Sequence, residues 1–125
     1  MLFALAIALG GAVGTLARFG ISAAMMPLSI RFPVATLLIN VAGSFLIGWL
    51  SGEWSPVTSL TLRAALTIGF CGGFTTFSTF SIETVRMAHE GAVARAGLYV
   101  LASVLLSVGA AALGVLTARA LARPA

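Results

Sequence analysis

Thr36, Asn40 and Ser44 recur at four-residue intervals, which puts a hydroxyl, an amide and a second hydroxyl on one helical face. Ser103 and Ser107 repeat that spacing, one turn beyond Tyr99. Residues 69–83 read GFCGGFTTFSTFSIE. They carry Thr75, Thr76, Ser78, Thr79, Ser81 and Glu83, with Phe77 and Phe80 on one face between them. All of these polar groups lie in stretches that are otherwise apolar. Polar side chains inside a bilayer are costly and often functional. Hydroxyls, an amide and the electropositive edges of phenyl rings, set in lines, could replace the water around an anion and still release it. Gly69, Gly72 and Gly73 each weaken a helix by about 1 kcal/mol relative to alanine. A helix broken there frees carbonyls for a cation and presents a helix N-terminus to an anion. GFCGGFTT therefore predicts a break with an ion site.

Plainer readings stand beside these. A serine or threonine in a span can bond back to a carbonyl of its own helix. That explains any single hydroxyl better than it explains the aligned sets. Asn40 needs partners for two donors and an acceptor, and an interhelical hydrogen bond would supply them. Phe74, Phe77 and Phe80 could fill the core of a bundle. Cys71 is the only cysteine, so no intrachain disulfide forms, and with no base nearby it reads as a small packing residue. His89 falls in a loop and reads as solvated. There is no Ser-His-Asp or Cys-His set, no metal-ligand cluster and no phosphate loop followed by lysine. The chain does not read as an enzyme.

The elements that must hold these groups follow from composition. Of the 125 residues, 60% are hydrophobic and 8% are charged. A soluble domain needs roughly a quarter of its residues charged. The chain instead reads as an all-α membrane protein. Four apolar stretches, at 2–25, 33–51, 62–86 and 95–120, are each near the ~20 residues that cross a bilayer as helix. PLSIRFP, GEWSP and RMAHEGAVAR separate them, so residues 1–125 form a single four-helix transmembrane domain with a break in the third helix. MLFALAIALGG lacks a basic leading region and reads as a first span, not a cleaved signal. Trp49 and Trp54 suit an interfacial aromatic belt. Gly10 and Gly14 form a G-x-x-x-G pair, and Gly43, Gly48, Gly109 and Gly114 stud the second and fourth spans, which predicts close helix packing.

Seven arginines, no lysine, no aspartate and three glutamates give a net charge of +4. The arginines sit at segment ends without a basic stripe, which argues against nucleic acid and for phosphate headgroups and topology control. Arg63, Arg119 and Arg123 fall on one side of the membrane. Arg31, Arg86 and Arg95 fall on the other, joined by Arg18 if it reaches the interface. This near balance fixes no orientation. Either a weaker signal sets it, or the chain inserts both ways and pairs antiparallel.

GFCGGFTTFSTFSIE resembles the signature of the bacterial fluoride channels, the Fluc or CrcB proteins. So do GGAVGTLARF, residues 10–19, and ATLLINVAGSFLIG, residues 35–48. The resemblance covers essentially the whole chain, and the third-span motif is the most specific part. It implies an antiparallel, dual-topology homodimer with two fluoride pathways, multi-pass in the bacterial cytoplasmic (inner) membrane. It also implies a structural sodium ion on the dimer axis, held by the backbone carbonyls of Gly72 and Thr75 of both subunits. Phe77 and Phe80 match the phenylalanines that line the pathways, and Asn40 the pore asparagine. Ser103 and Ser107, with Tyr99 near them, match the polar track of the fourth helix. Glu83 matches an acid after the phenylalanine pair, Arg18 an arginine near the pore entrance, and Thr79 is a further polar-track candidate. The implied function is passive, fluoride-selective export. An alternative is a small dual-topology, proton-coupled multidrug exporter, which needs an acid in the first span, and this one has none. An assembly subunit without transport would explain the small residues but not the aligned donors.

Overall fold

The structure is a computed structural model that describes residues 1–52 and 58–122. Trp54 and Arg123 therefore lie outside the described residues. Among the described residues the chain is all-helical, with four segments long and apolar enough to cross a membrane: Leu2–Ala24, Val34–Gly52, Leu60–His89 and Val93–Ala122.

Helix α1 (Leu2–Ala24) runs into a 3₁₀ turn, Met26–Ser29, with Pro27 at its start. Proline fixes the backbone at that point and ends the helix before it. Helix α2 (Val34–Gly52) begins just after Pro33, and Ser29 Oγ accepts the Ala35 N–H at 3.1 Å. The third span is assembled from pieces. Helix α3 (Leu60–Ala64) is capped by Ser59, whose hydroxyl accepts the Leu62 N–H at 3.2 Å. The backbone then widens into π-helical turns over Ala65–Cys71 and returns to a short α4 (Gly72–Phe74). Thr75 and Thr76 are extended, with ψ of 158° and 108°. Helix α5 (Phe77–His89) starts after them. Glu90–Ala92 turn the chain into α6 (Val93–Ala122). In that turn Gly91 has φ of +81°, Gly91 N–H bonds to the Ala88 carbonyl at 3.1 Å, and Ala92 N–H to the Met87 carbonyl at 2.9 Å. This paired bonding after a left-handed glycine satisfies the last carbonyls of a helix.

Two backbone-to-backbone seams hold the bundle. Along one, α1 lies against the first half of the third span. A Cβ on Gly10 would strike the Ala65 carbonyl, and one on Gly14 the Phe70 carbonyl. Along the other, α2 lies against α6, where a Cβ on Gly48 would strike the Ala111 carbonyl and one on Gly114 the Phe45 carbonyl. Between helices in lipid, close approach of this kind replaces the hydrophobic drive that lipid cannot supply. Gly109 has nothing within 4 Å of its Cβ position and takes no part in the seam.

The glycines of the signature have a use that spacing alone did not indicate. Gly69 and Gly73 lie within helical backbone and face α1, against the carbonyls of Ile7 and Gly11. The helical hydrogen bonding lapses after them, at the two threonines.

Candidate functional site

Helical bonding stops at Thr75 and Thr76, and side chains take up several of the backbone groups freed there. Thr75 N–H and Thr75 Oγ1 both donate to the Cys71 carbonyl, at 3.0 and 2.9 Å. Thr76 Oγ1 accepts the Thr79 N–H at 3.1 Å and so caps α5, while its own proton goes to Thr79 Oγ1 at 2.9 Å. Asn40 on α2 grips the extended backbone with both ends of its amide. Its Oδ1 accepts the Thr76 N–H at 2.8 Å, and its Nδ2 donates to the Thr76 carbonyl at 3.1 Å. The amide thus replaces two backbone partners inside the bilayer, where unpaired groups cost several kcal/mol each.

An open cavity of about 270 Å³ begins at this junction. It is walled by Asn40 and Ser44 of α2, Thr75, Phe77 and Phe80 of the third span, and Ser103 and Ser107 of α6. Phe77 is 77% exposed, whereas Phe80 is 9% exposed. Their ring centroids are 5.3 Å apart at 46°. The Ser103 hydroxyl is buried and has no hydrogen-bond partner among the described residues. A buried hydroxyl without a partner costs about 1–3 kcal/mol, unless an ion or water passing through the cavity supplies one.

Tyr99 lines none of this cavity. It is fully buried behind it, with Phe80 at 5.2 Å on one side and Phe32 at 5.4 Å in a T-shaped contact on the other. The Tyr99 hydroxyl donates to Glu83 Oε2 at 2.8 Å, and Thr36 Oγ1 donates to Glu83 Oε1 at 2.9 Å. Glu83 therefore ties α2, α5 and α6 together. Phe77, Phe80, Tyr99 and Phe32 form a continuous file of rings, in which Tyr99 carries the bond to this carboxylate.

Arg18 and Thr79 stand apart from the first cavity. They line a separate one of about 260 Å³ with Thr15, Phe19, Ser22, Thr36 and Thr76. Thr76 is common to the second cavity and to the Asn40 contact that walls the first. In the sequence Thr76 and Thr36 are both hydroxyls within apolar spans, Thr36 on one face with Asn40 and Ser44. Their importance lies in partners on other helices, and only the T-x-x-T spacing of a helix cap hints at it. Several other hydroxyls bond back to their own helix: Thr67 to the Arg63 carbonyl, Ser81 to Phe77, Thr84 to Phe80 and Thr117 to Leu113, each at 2.8 Å.

Gly72 and Thr75 can be tested as cation ligands by the fate of their carbonyls. A continuous helix would give the Thr76 N–H to Gly72 and the Thr79 N–H to Thr75. The first goes to Asn40 and the second to Thr76 Oγ1. Both carbonyls are thereby released from their helical donors. Gly72 is exposed, with nothing within 4 Å of its Cβ position. Carbonyl oxygens are hard ligands suited to a small cation, so the donor set fits. Among the described residues no three His, Cys, Asp or Glu side chains gather to hold a metal.

Comparison with known proteins adds the family. The family model described as CrcB-like protein, Camphor Resistance (CrcB), matches residues 5–115. A protein of Saccharophagus degradans named Fluoride-specific ion channel FluC is 48% identical over 108 residues, covering 85% of this chain and 81% of its own length. Fluoride-specific ion channel FluC 1 of Nitrobacter hamburgensis is 45% identical over 123 residues, covering 95% and 97%. Fluoride-specific ion channel FluC of Geobacter metallireducens is 49% identical over 123 residues, covering 95% and 98%.

Proposed function

Since the chain belongs to the CrcB family, we propose that this multi-pass membrane protein is a passive, fluoride-selective channel of the bacterial cytoplasmic membrane. The observation that carries this reading is the cavity in which Asn40, Phe77, Phe80, Ser103 and Ser107 converge. Fluoride is small and strongly hydrated, so a pathway must replace its water with donors. The amide of Asn40 and the hydroxyls of Ser103 and Ser107 are such donors, and the edges of Phe77 and Phe80 add weaker ones. No lysine exists to trap the ion. Arg18, with Thr79 in the neighbouring cavity, would gather fluoride at the entrance. Tyr99 and Glu83 would hold Phe80 in place at the inner end.

One subunit is half of the device. Phe77 and Gly72 are exposed, and a second copy lying antiparallel would cover this face and give two pathways. The near-equal arginine count on the two sides supports that pairing. In the dimer, the released carbonyls of Gly72 and Thr75 from both copies would hold a sodium ion on the axis. That ion supplies fixed positive charge close to both pathways.

The competing reading, a proton-coupled exporter, requires an acid that can bind and release protons in the first span. Helix α1 contains none, and both oxygens of Glu83 accept hydrogen bonds within the fold. The experiment that separates the two is efflux from liposomes carrying the purified protein, loaded with fluoride or with chloride, without a proton gradient. The channel reading predicts fast fluoride release and no chloride release. Fluoride release that occurs only with a proton gradient would contradict it.

A further inference from the structure

A third cavity, of about 260 Å³, opens where α5 turns into α6, beneath the connection between α1 and α2. Arg31, Arg86 and Arg95 line it, together with Glu83 and Glu90. Three arginines thus outnumber two glutamates in this lining. Glu83 gives its oxygens to Thr36 and Tyr99. Neither glutamate forms an ion pair with any of the three arginines among the described residues. Arg95 Nη1 donates to the Arg31 carbonyl at 3.1 Å, which ties the connection to α6. The side chains of Arg31 and Arg86 have no hydrogen-bond partner among the described residues.

Arg31, Arg86 and Arg95 are all exposed, and guanidinium groups gathered around a concave polar surface can take up an oxyanion. The planar fork of arginine matches two phosphate oxygens at once, which lysine and single-atom anions cannot exploit. The cavity is far wider than one halide ion. It also stands between the last turn of α5 and the first turn of α6, at the depth where phospholipid headgroups meet the helix ends. We propose that Arg31, Arg86 and Arg95 form a binding site for a phosphate group, supplied by an anionic phospholipid headgroup or by free phosphate. This cavity shares no lining residue with the one that carries Phe77 and Phe80, and its test does not depend on the channel reading. Its occupant would bridge the α1–α2 connection to both arms of the α5–α6 turn.

Native mass spectrometry of the full-length protein tests it, with phosphatidylglycerol, diacylglycerol and inorganic phosphate as the probes. The site predicts retention of phosphatidylglycerol and no retention of diacylglycerol, which has the same tails without the phosphate. Arg31→Gln and Arg86→Gln should each lower phosphatidylglycerol retention by about tenfold while eluting at the wild-type size, the loss expected for one charge-assisted contact. Displacement of the lipid by inorganic phosphate would assign the site to the phosphate group from either source. Retention that resists inorganic phosphate would assign it to the lipid headgroup. Equal retention of the two lipids, or retention unchanged in both variants, overturns the proposal.

Discussion

At Asn40 both ends of the amide are committed to the Thr76 backbone, which leaves one Nδ2 proton for an ion in the cavity. Asn40→Asp keeps the acceptor, loses the donors and adds a negative charge where an anion must pass. Fluoride efflux should fall by at least about tenfold, since a lost donor to a buried acceptor costs about 1–3 kcal/mol. An Asp variant with wild-type efflux would remove the donor argument. Phe80 is flanked by Phe77 and Tyr99. Phe80→Ile keeps an apolar side chain of adequate size but removes the ring edge. It should slow fluoride efflux severalfold and leave the elution position on size exclusion at that of the wild type. The residue types at these positions were legible, because an amide, hydroxyls and paired rings in apolar segments stand out. The Glu83 contacts were not. Thr36, Glu83 and Tyr99 come from three helices, and one-dimensional spacing fixes the face of a helix without its rotation or height relative to neighbours.

Among the helices, the third span departs furthest from what the sequence implies. Glycines predict weakness where they stand, yet Gly69 and Gly73 stay helical and let α1 approach. The extended residues are the two threonines that follow, β-branched and able to cap the next helix with a side chain. A single-residue propensity scale ranks glycine as the breaker. It cannot see that Asn40, thirty-six residues away in the chain, supplies the hydrogen bonds that make Thr76 affordable in lipid. The G-x-x-x-G pair of α1 does form a close seam, because close backbone packing depends on side-chain size. Gly14→Ala should therefore lower stability by about 1–3 kcal/mol, since its new methyl group would meet the Phe70 carbonyl and the Phe74 N–H. Gly97→Ala, with nothing within 4 Å, is the matched control and should leave thermal stability nearly unchanged. Equal stability of the two variants would show that the seam does not determine how α1 docks.

For the whole molecule, four spans, one dominant helical class and the family were all readable from 125 residues, because a bilayer permits few architectures. How copies assemble is a matter of surfaces, and the exposed Phe77 and Gly72 mark the face proposed to meet a partner. Passive conduction of fluoride with exclusion of chloride fixes the reversal potential of the current through the purified protein in a planar bilayer. Fluoride would be set unequal across the membrane, with chloride making up the difference and the pH equal on both sides. A passive fluoride channel gives a current that reverses at the Nernst potential of fluoride and does not move when a pH gradient is added. A reversal near zero, or one that follows the pH gradient, would contradict it.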